Sequence, residues 1–534
     1  MKTPPALLAP TVPPALLQRC GPALTGVLSG FDRLRLRGTL RYLFQPTVME
    51  AYLNACRVLI KDFRTFALGL TGRIKAAAYA TAEQAGRPFR YLPHSQLSKE
   101  DLARQIARAD GVTSGLIAIF SALENCLSYS VRGDRQTKHI HLVLEPRKCL
   151  HLYHYFLDPD LGLCHVRVQT WFPFTVDICL NGRDRLARQM DAAGLAYRQR
   201  DNCFLWVSDP VRAQALLEEQ LRTDWPRVLG RLLDQAHPLH RELCRPIRQT
   251  YYWTASASEY ATDLLFRDAP SLATLYPHFV HHAIRTFASP DVMRFLGRHI
   301  PASSGRVQGN FRGEIISDLK HRPEGVRVKH SVNGNSVKMY DKEGRVLRIE
   351  TTINKTEDFR VYRAKQGAPG GEKTWRTLQR SVGELWRRGQ VSAAANQRYL
   401  DALASVTDKT PVGVVAEGVC RAVVKAGRRH RALNPWNEAD AALLQAVSRG
   451  EYVINGLRNR DLRRQLWTHV GSAQQERRRA AAVTRQLRLL RVHGLLRKVS
   501  GTHRYVVTAA GRKIITALLA ARQADVAQLT TLAA

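Results

Sequence analysis

The chain has 534 residues, enough for about three or four domains at roughly 100–200 residues each. Its 45% hydrophobic content is ordinary for a protein with real cores, but 81 Lys and Arg against 45 Asp and Glu, a formal net charge of +36 and an isoelectric point near 10.4 are not. That excess attracts polyanions, nucleic acid first because its neutralised phosphates release counterions; no apolar run of about 20 residues offers a bilayer span, so a membrane partner is not expected.

Cysteine usage points the same way. The residues Cys20, Cys56, Cys126, Cys149, Cys164, Cys179, Cys203, Cys244 and Cys420 form no CxxC, and an odd number argues against a disulfide framework. Reduced thiols and a cytoplasmic location are the expectation. At the start, Pro4, Pro5, Pro10, Pro13 and Pro14 interrupt any signal-peptide helix, so residues 1–29 are expected to be a flexible Pro-rich tail.

Residues 30–240 are read as an α+β domain. In GFDRLRLRGTLRYLF, Arg33, Arg35 and Arg37 alternate with Leu34 and Leu36, the period of a strand with one arginine-bearing face. That face is either a phosphate-contacting ladder or simply solvated. Residues 47–130 are expected to be largely helical, with Ser98 capping the helix in SKEDLARQIARADG and Gly111 following it. Residues 137–180 are β-rich, with Pro173 marking a break, and RDRLARQMDAAG, YRQRDNCFLWVSD and a start near Pro210 continue as helix, strand and helix. Within this domain, TKHIHLVLEP places His139 and His141 two residues apart, hence on one face of a strand and in position to act as metal ligands. Glu145 is the nearest carboxylate, and no third ligand is assigned.

Residues 241–310 are expected to be helical. A β-rich hairpin segment follows at 311–366, punctuated by Asn333-Gly334 and Glu343-Gly344. Its strands NSVKMY and VLRIETTI put Lys338 and Tyr340, and Arg348 and Glu350, in alternation, as expected of a polar surface. Residues 367–437 read as helices and a basic linker ending in KAGRRHRALNPWN. From 438 to 534 the order is helix, helix, longer helix, hairpin, helix. In the long helix Ala480, Val483, Leu487 and Leu490 form the inward stripe, while Arg478, Ala481, Arg485 and Arg488 gather on the opposite face.

That C-terminal order, with LLRVHGLLRKVSGTHRYVVTAAGRKII at its centre, resembles the winged helix of MarR-type regulators over about 90 residues. The resemblance implies a duplex-reading third helix and a basic wing carrying Lys498, His503 and Arg504. The HIHLVL string resembles HUH replication-initiator endonucleases, in which strand histidines and a third ligand hold Mg or Mn and a tyrosine attacks single-stranded DNA. On that reading Tyr362 and Lys365 in VYRAK are the catalytic candidates, although the family's tyrosine sits on a helix and Tyr362 follows a strand pattern. Asp32, Asp341 and Glu350 are a further carboxylate set that two metals would need, or else ordinary ion-paired groups.

The fold class expected is therefore multidomain α+β, with a mixed N-terminal and central region and a C-terminal winged helix. The function expected is DNA binding, in transcription regulation or in mobile-element or replication DNA processing. Metal-dependent nicking and structured-RNA binding stay open as alternatives, and so does a homodimer. No cofactor is expected outside the nicking alternative, which would need Mg or Mn.

Overall fold

The computed structural model describes residues 11–524 apart from 94–96, 135, 137–138, 286, 288, 298–314, 324, 366–369, 405–409, 450–451, 453–455, 468 and 470. The tail expected to be flexible is folded in part; its first ten residues lie outside that set. Helix α1 (Pro14–Cys20) forms within it, with Leu16 and Cys20 buried. Proline at the first helical position lacks an N–H that would be unsatisfied anyway, so here it starts a helix rather than breaking one.

The chain divides into two compact units. The first holds Gly30–Tyr260 and Arg380–Trp386. Its strands are β1 (Leu24–Thr39), β2 (Phe89–Tyr91), β3 (Gly115–Gly133), β4 (Ile140–Asp158), β5 (Gly162–Gln169), β6 (Val176–Asn181), the separate pair β7 (Tyr197–Arg200) and β8 (Cys203–Val207), and β9 (Tyr252–Phe266). Both β1 and β9 also lend residues to the second unit. From β1 the order runs β6, β5, β4, β3, β2, antiparallel except for the parallel pair β2–β3. Helices α2 (Pro46–Ala55), α3 (Phe63–Gln84), α4 (Lys99–Ala109), α5 (Gly182–Ala192), α6 (Pro210–Gln220), α7 (Trp225–Ala236) and α8 (His240–Cys244) complete the unit.

Local chemistry explains much of this unit. Ser98 Oγ accepts the Asp101 N–H at 3.2 Å and starts α4, and Gly111 takes the left-handed conformation just after it. On β1, Arg33, Arg35 and Arg37 are exposed between buried Leu34 and Leu36, as the alternation predicts. Strand β3 corrects the expectation of helix up to residue 130. Its first half, Leu116–Ala122, is buried on both faces, and such a continuous apolar run reads equally as helix or strand. Strand β9 corrects the helical reading of 241–310; its Tyr, Trp and Thr content suits a pleated surface.

The second unit holds Ala261–Gln379, Arg387–Ala534 and the segment ending at Ser29. It contains α9 (Ala269–Ala273), α10 (Tyr276–Arg285) and α11 (Ser289–Phe295), then β10 (Ile315–Arg322), β11 (Gly325–Val332), β12 (Asn335–Lys342) and β13 (Val346–Ile353). The pair β14 (Arg360–Arg363) and β15 (Thr374–Thr377) precedes α12 (Leu385–Ala404) and α13 (Val412–Cys420). Both expected hairpins form: Asn333-Gly334 and Glu343-Gly344 each have two consecutive positive φ values, the signature of a tight turn that matches strand twist. The KAGRRH stretch is a hairpin of β16 (Val423–Lys425) and β17 (Arg428–His430) rather than a linker, since Ala426 and Gly427 adopt the same turn. A core that includes Phe279, Phe295, Leu347, Ile349 and Tyr399 packs against this sheet.

The strands β12 and β13 overturn the expected polar surface. Lys338 lies opposite Glu350 and Tyr340 opposite Arg348, but all four are buried. Lys338 Nζ is 2.6 Å from Glu350 Oε1, and the Arg348 guanidinium donates twice to Asp263 at 2.6 and 2.9 Å. Alternation reports which residues share a face; it does not report which face meets solvent.

The last elements are α14 (Glu438–Val447), α15 (Asn459–Leu466), α16 (Ala473–Val492), β18 (Leu496–Lys498), β19 (Tyr505–Val507) and α17 (Ala509–Gln523), in the order the sequence predicts. Leu443, Leu444, Leu462, Val483, Leu487, Leu490, Ile515 and Leu518 share one core. Gly511, in the first turn of α17, lets that helix approach the chain leading into β18. A Cβ there would lie 2.3 Å from the Leu495 carbonyl oxygen. Gly511→Ala is therefore expected to cost about 1–3 kcal/mol by overpacking against backbone. The urea midpoint checks it, and an unshifted midpoint would show that the helix can move away freely. By these elements the chain is a mixed α and β protein. No helix among the described residues is long and apolar enough to cross a membrane.

Candidate nucleic-acid interface

Helix α16 begins with a reciprocal cap: Ser472 Oγ accepts the Gln475 N–H and Gln475 Oε1 accepts the Ser472 N–H. Val483, Leu487 and Leu490 are buried and Ala480 is half-buried, as the wheel predicts. Helix α15 braces α16 from one side. Asn459 Nδ2 donates to the Ala480 carbonyl at 2.8 Å and to Thr484 Oγ1 at 2.9 Å. Glu476 receives Arg463 of α15 at 2.7 Å and Arg479 of its own helix at 2.8 Å, while Arg479 also donates to the His469 carbonyl. Two basic residues of the region are thus used as internal braces.

The remaining arginines of α16 are not. Arg477, Arg478, Arg485, Arg488 and Arg491 are exposed, with Ala481 exposed among them. None of the five has a carboxylate partner among the described residues. The hairpin after the helix adds exposed Arg497, Lys498 and His503 beyond the positive-φ Gly501. The result is, among the described residues, a cationic helix face without carboxylate partners next to a short basic hairpin, a charge arrangement that favours anions.

Arg504 departs from this pattern. It is half-buried, donates to the Gly456 carbonyl at 3.2 Å and stacks on the Tyr362 ring with its central carbon 3.8 Å from the centroid. Burial lowers its affinity for the proton. Arg504 is therefore a packing residue and not an exposed wing cation.

Tyr362 is on strand β14, half-buried, and Lys365 is exposed beyond the strand's end. Besides Arg504, the ring meets Trp375 edge-on at 5.6 Å and Arg458 at 5.5 Å, and Arg460 Nη2 donates to its hydroxyl at 3.4 Å. Arg460 also contacts exposed Glu372 at 3.0 Å. Sequence reading missed Arg458, Arg460 and Glu372. The basic run RNRDLRR was visible, but nothing local ties it to a tyrosine nearly a hundred residues earlier.

The N-terminal candidates are placed differently. His139 precedes β4 and His141 lies within it; both are exposed, and His141 stands opposite Arg132. Glu145 is engaged by Ser130 at 2.6 Å and Arg132 at 2.8 Å. Among the described residues no group of three His, Cys, Asp or Glu side chains includes either histidine, so the residues for a Mg or Mn centre are not assembled there. The arginine ladder is partly neutralised: Arg33 pairs with Glu100 at 3.2 Å and Arg37 with Asp177 at 2.7 Å, leaving Arg35 as its uncompensated member among the described residues. Of the carboxylate set, Asp32 accepts from Asn202 at 2.6 Å and Glu350 is held by Lys338. Burial raises the Asp341 carboxyl above its ordinary range. Compared with known proteins, the chain matches no family model, no curated protein and no solved structure.

Proposed function

We propose that the chain is a cytoplasmic nucleic-acid-binding protein whose residues 438–534 form a winged helix that reads duplex DNA. In this reading α16 enters the major groove, Ala481 allows close approach, and the β18–β19 hairpin lies along the flanking backbone as the wing. The observation that carries it is the contrast within α16. Arg479, with Arg463 of α15, is bound to Glu476, while five other arginines of α16 stay exposed without a carboxylate partner among the described residues. Uncompensated arginines on a braced helix repel one another, and a polyanion relieves that repulsion. A binding role in transcription regulation or in mobile-element or replication DNA processing fits this surface better than catalysis.

The test is a salt titration of a fluorescent duplex with the full chain. The logarithm of the binding constant should fall linearly with the logarithm of salt concentration, by about 0.9 for each phosphate neutralised. Duplex DNA should compete better than a structured RNA hairpin of equal length. Salt-independent binding, or stronger competition by the RNA, would overturn the duplex reading.

A further inference from the structure

We infer that Tyr362, Arg458 and Arg460 form a second anion site, built to take a phosphate of the nucleic-acid backbone. This rests on the nucleic-acid reading above. The site lies in the same unit as α16, where β14 meets the start of α15. Residue 459, between the two arginines, is bonded to the Ala480 carbonyl of α16.

Three guanidiniums surround one phenol here. Arg504 covers the ring face at 3.8 Å, Arg458 stands 5.5 Å from its centre, and Arg460 donates to the hydroxyl at 3.4 Å. Gathering like charges is costly without anions nearby. Among the described residues two carboxylates are at hand, and they differ in kind. Asp461 is buried and accepts the Arg458 backbone N–H at 2.8 Å, so it serves as the cap of α15. The Glu372 side chain is 72% exposed and meets Arg460 at 3.0 Å. An exposed pair of that kind contributes little to stability. It also shows that Arg460 donates through Nη1 to a carboxylate oxygen at this position.

A backbone phosphate would displace Glu372 and take the paired N–H groups of Arg460, a geometry that guanidinium matches well. The Tyr362 hydroxyl would donate a further hydrogen bond to the same phosphate. Arg504 and Trp375 hold the ring in place from behind. Arg460 is the residue to test, since its side chain is one-third exposed and within reach of a ligand.

The experiment measures the salt dependence of duplex binding for the wild type, Arg460→Gln, Tyr362→Phe and Glu372→Gln. Arg460→Gln should weaken binding evenly across unrelated sequences and make the salt slope shallower by about 1. Tyr362→Phe should weaken binding with the slope unchanged, because it removes a neutral donor and keeps the stacked ring. Glu372→Gln should tighten binding, because it removes the competing carboxylate. If the wild type binds duplex and Arg460→Gln keeps both its affinity and its slope, the site is refuted while the nucleic-acid reading stands. If the wild type does not bind duplex at low salt, that reading fails and this site fails with it. A parallel titration with inorganic phosphate at constant ionic strength, followed by tryptophan fluorescence, separates the two sources of phosphate. A response lost in Arg460→Gln, with duplex binding unaffected by that substitution, would assign the site to a free anion and overturn the backbone assignment.

Discussion

Replacing Arg478, Arg485 and Arg488 together by Ala should abolish tight duplex binding while leaving the fold intact. Each base-reading arginine is worth about 1–3 kcal/mol of discrimination, so the triple variant should lose several kcal/mol and much of its sequence preference. The fold should survive because all three side chains are exposed, and because alanine is the best helix former. The internal control is Arg463→Ala, which removes a partner of Glu476 from the α15–α16 brace. That variant should lower thermal stability instead. A fluorescent-duplex titration beside a melting curve distinguishes the two, and unchanged affinity in a folded triple variant would exclude α16 as the reading element.

Asp263→Asn is expected to produce the largest stability loss. Its carboxylate and the Arg348 guanidinium are both inaccessible to solvent and share two hydrogen bonds. Removing the carboxylate of a buried ion pair costs about 3–5 kcal/mol. Replacing both, as Asp263→Leu with Arg348→Met, should recover most of that loss, since apolar isosteres of buried pairs are often neutral or stabilising. Urea unfolding of the three proteins checks this, and a loss below about 1 kcal/mol in Asp263→Asn would show that water reaches the pair. The neighbouring Lys338–Glu350 pair adds a pH dependence. Burial pushes the Glu350 carboxyl up, but Lys338 and Arg348 outweigh it and hold the carboxyl below its ordinary range. A carboxyl held low stabilises the fold above its unfolded pKa, about 4.3, and that contribution disappears as the pH falls through the lower folded value. The pair's contribution is therefore fully present at neutral pH and is lost progressively as the pH falls below about 4.3.

What the sequence discloses here is mostly local. The β1 alternation, the Ser98 cap, the two Gly-containing turns and the C-terminal element order all depend on residues within a few positions of one another, and all four are found. Strand β3 escaped because an apolar run buried on both faces carries no period. The pairing of β12 with β13 is legible in the sequence but its burial is not, since Lys338 and Glu350 neutralise each other across strands and so tolerate burial. At the candidate interface, exposure of Arg478, Arg485 and Arg488 followed from the helix wheel. The reassignment of Arg504 did not, because its partner Tyr362 is brought to it by tertiary packing alone.

The two turns at 333–334 and 343–344 have a role beyond closing hairpins. Along β12 the charged Lys338 alternates with Val337 and Met339 of the core, and along β13 Arg348 and Glu350 alternate with Leu347 and Ile349. A slip of one residue would exchange the two faces of a strand and bring apolar side chains to the polar side and charges into the core. The turn geometry therefore acts as a phase lock, and the Lys338–Glu350 match across β12 and β13 depends on chain length at 343–344. An inserted residue in either turn should do more damage than most substitutions in the strands themselves.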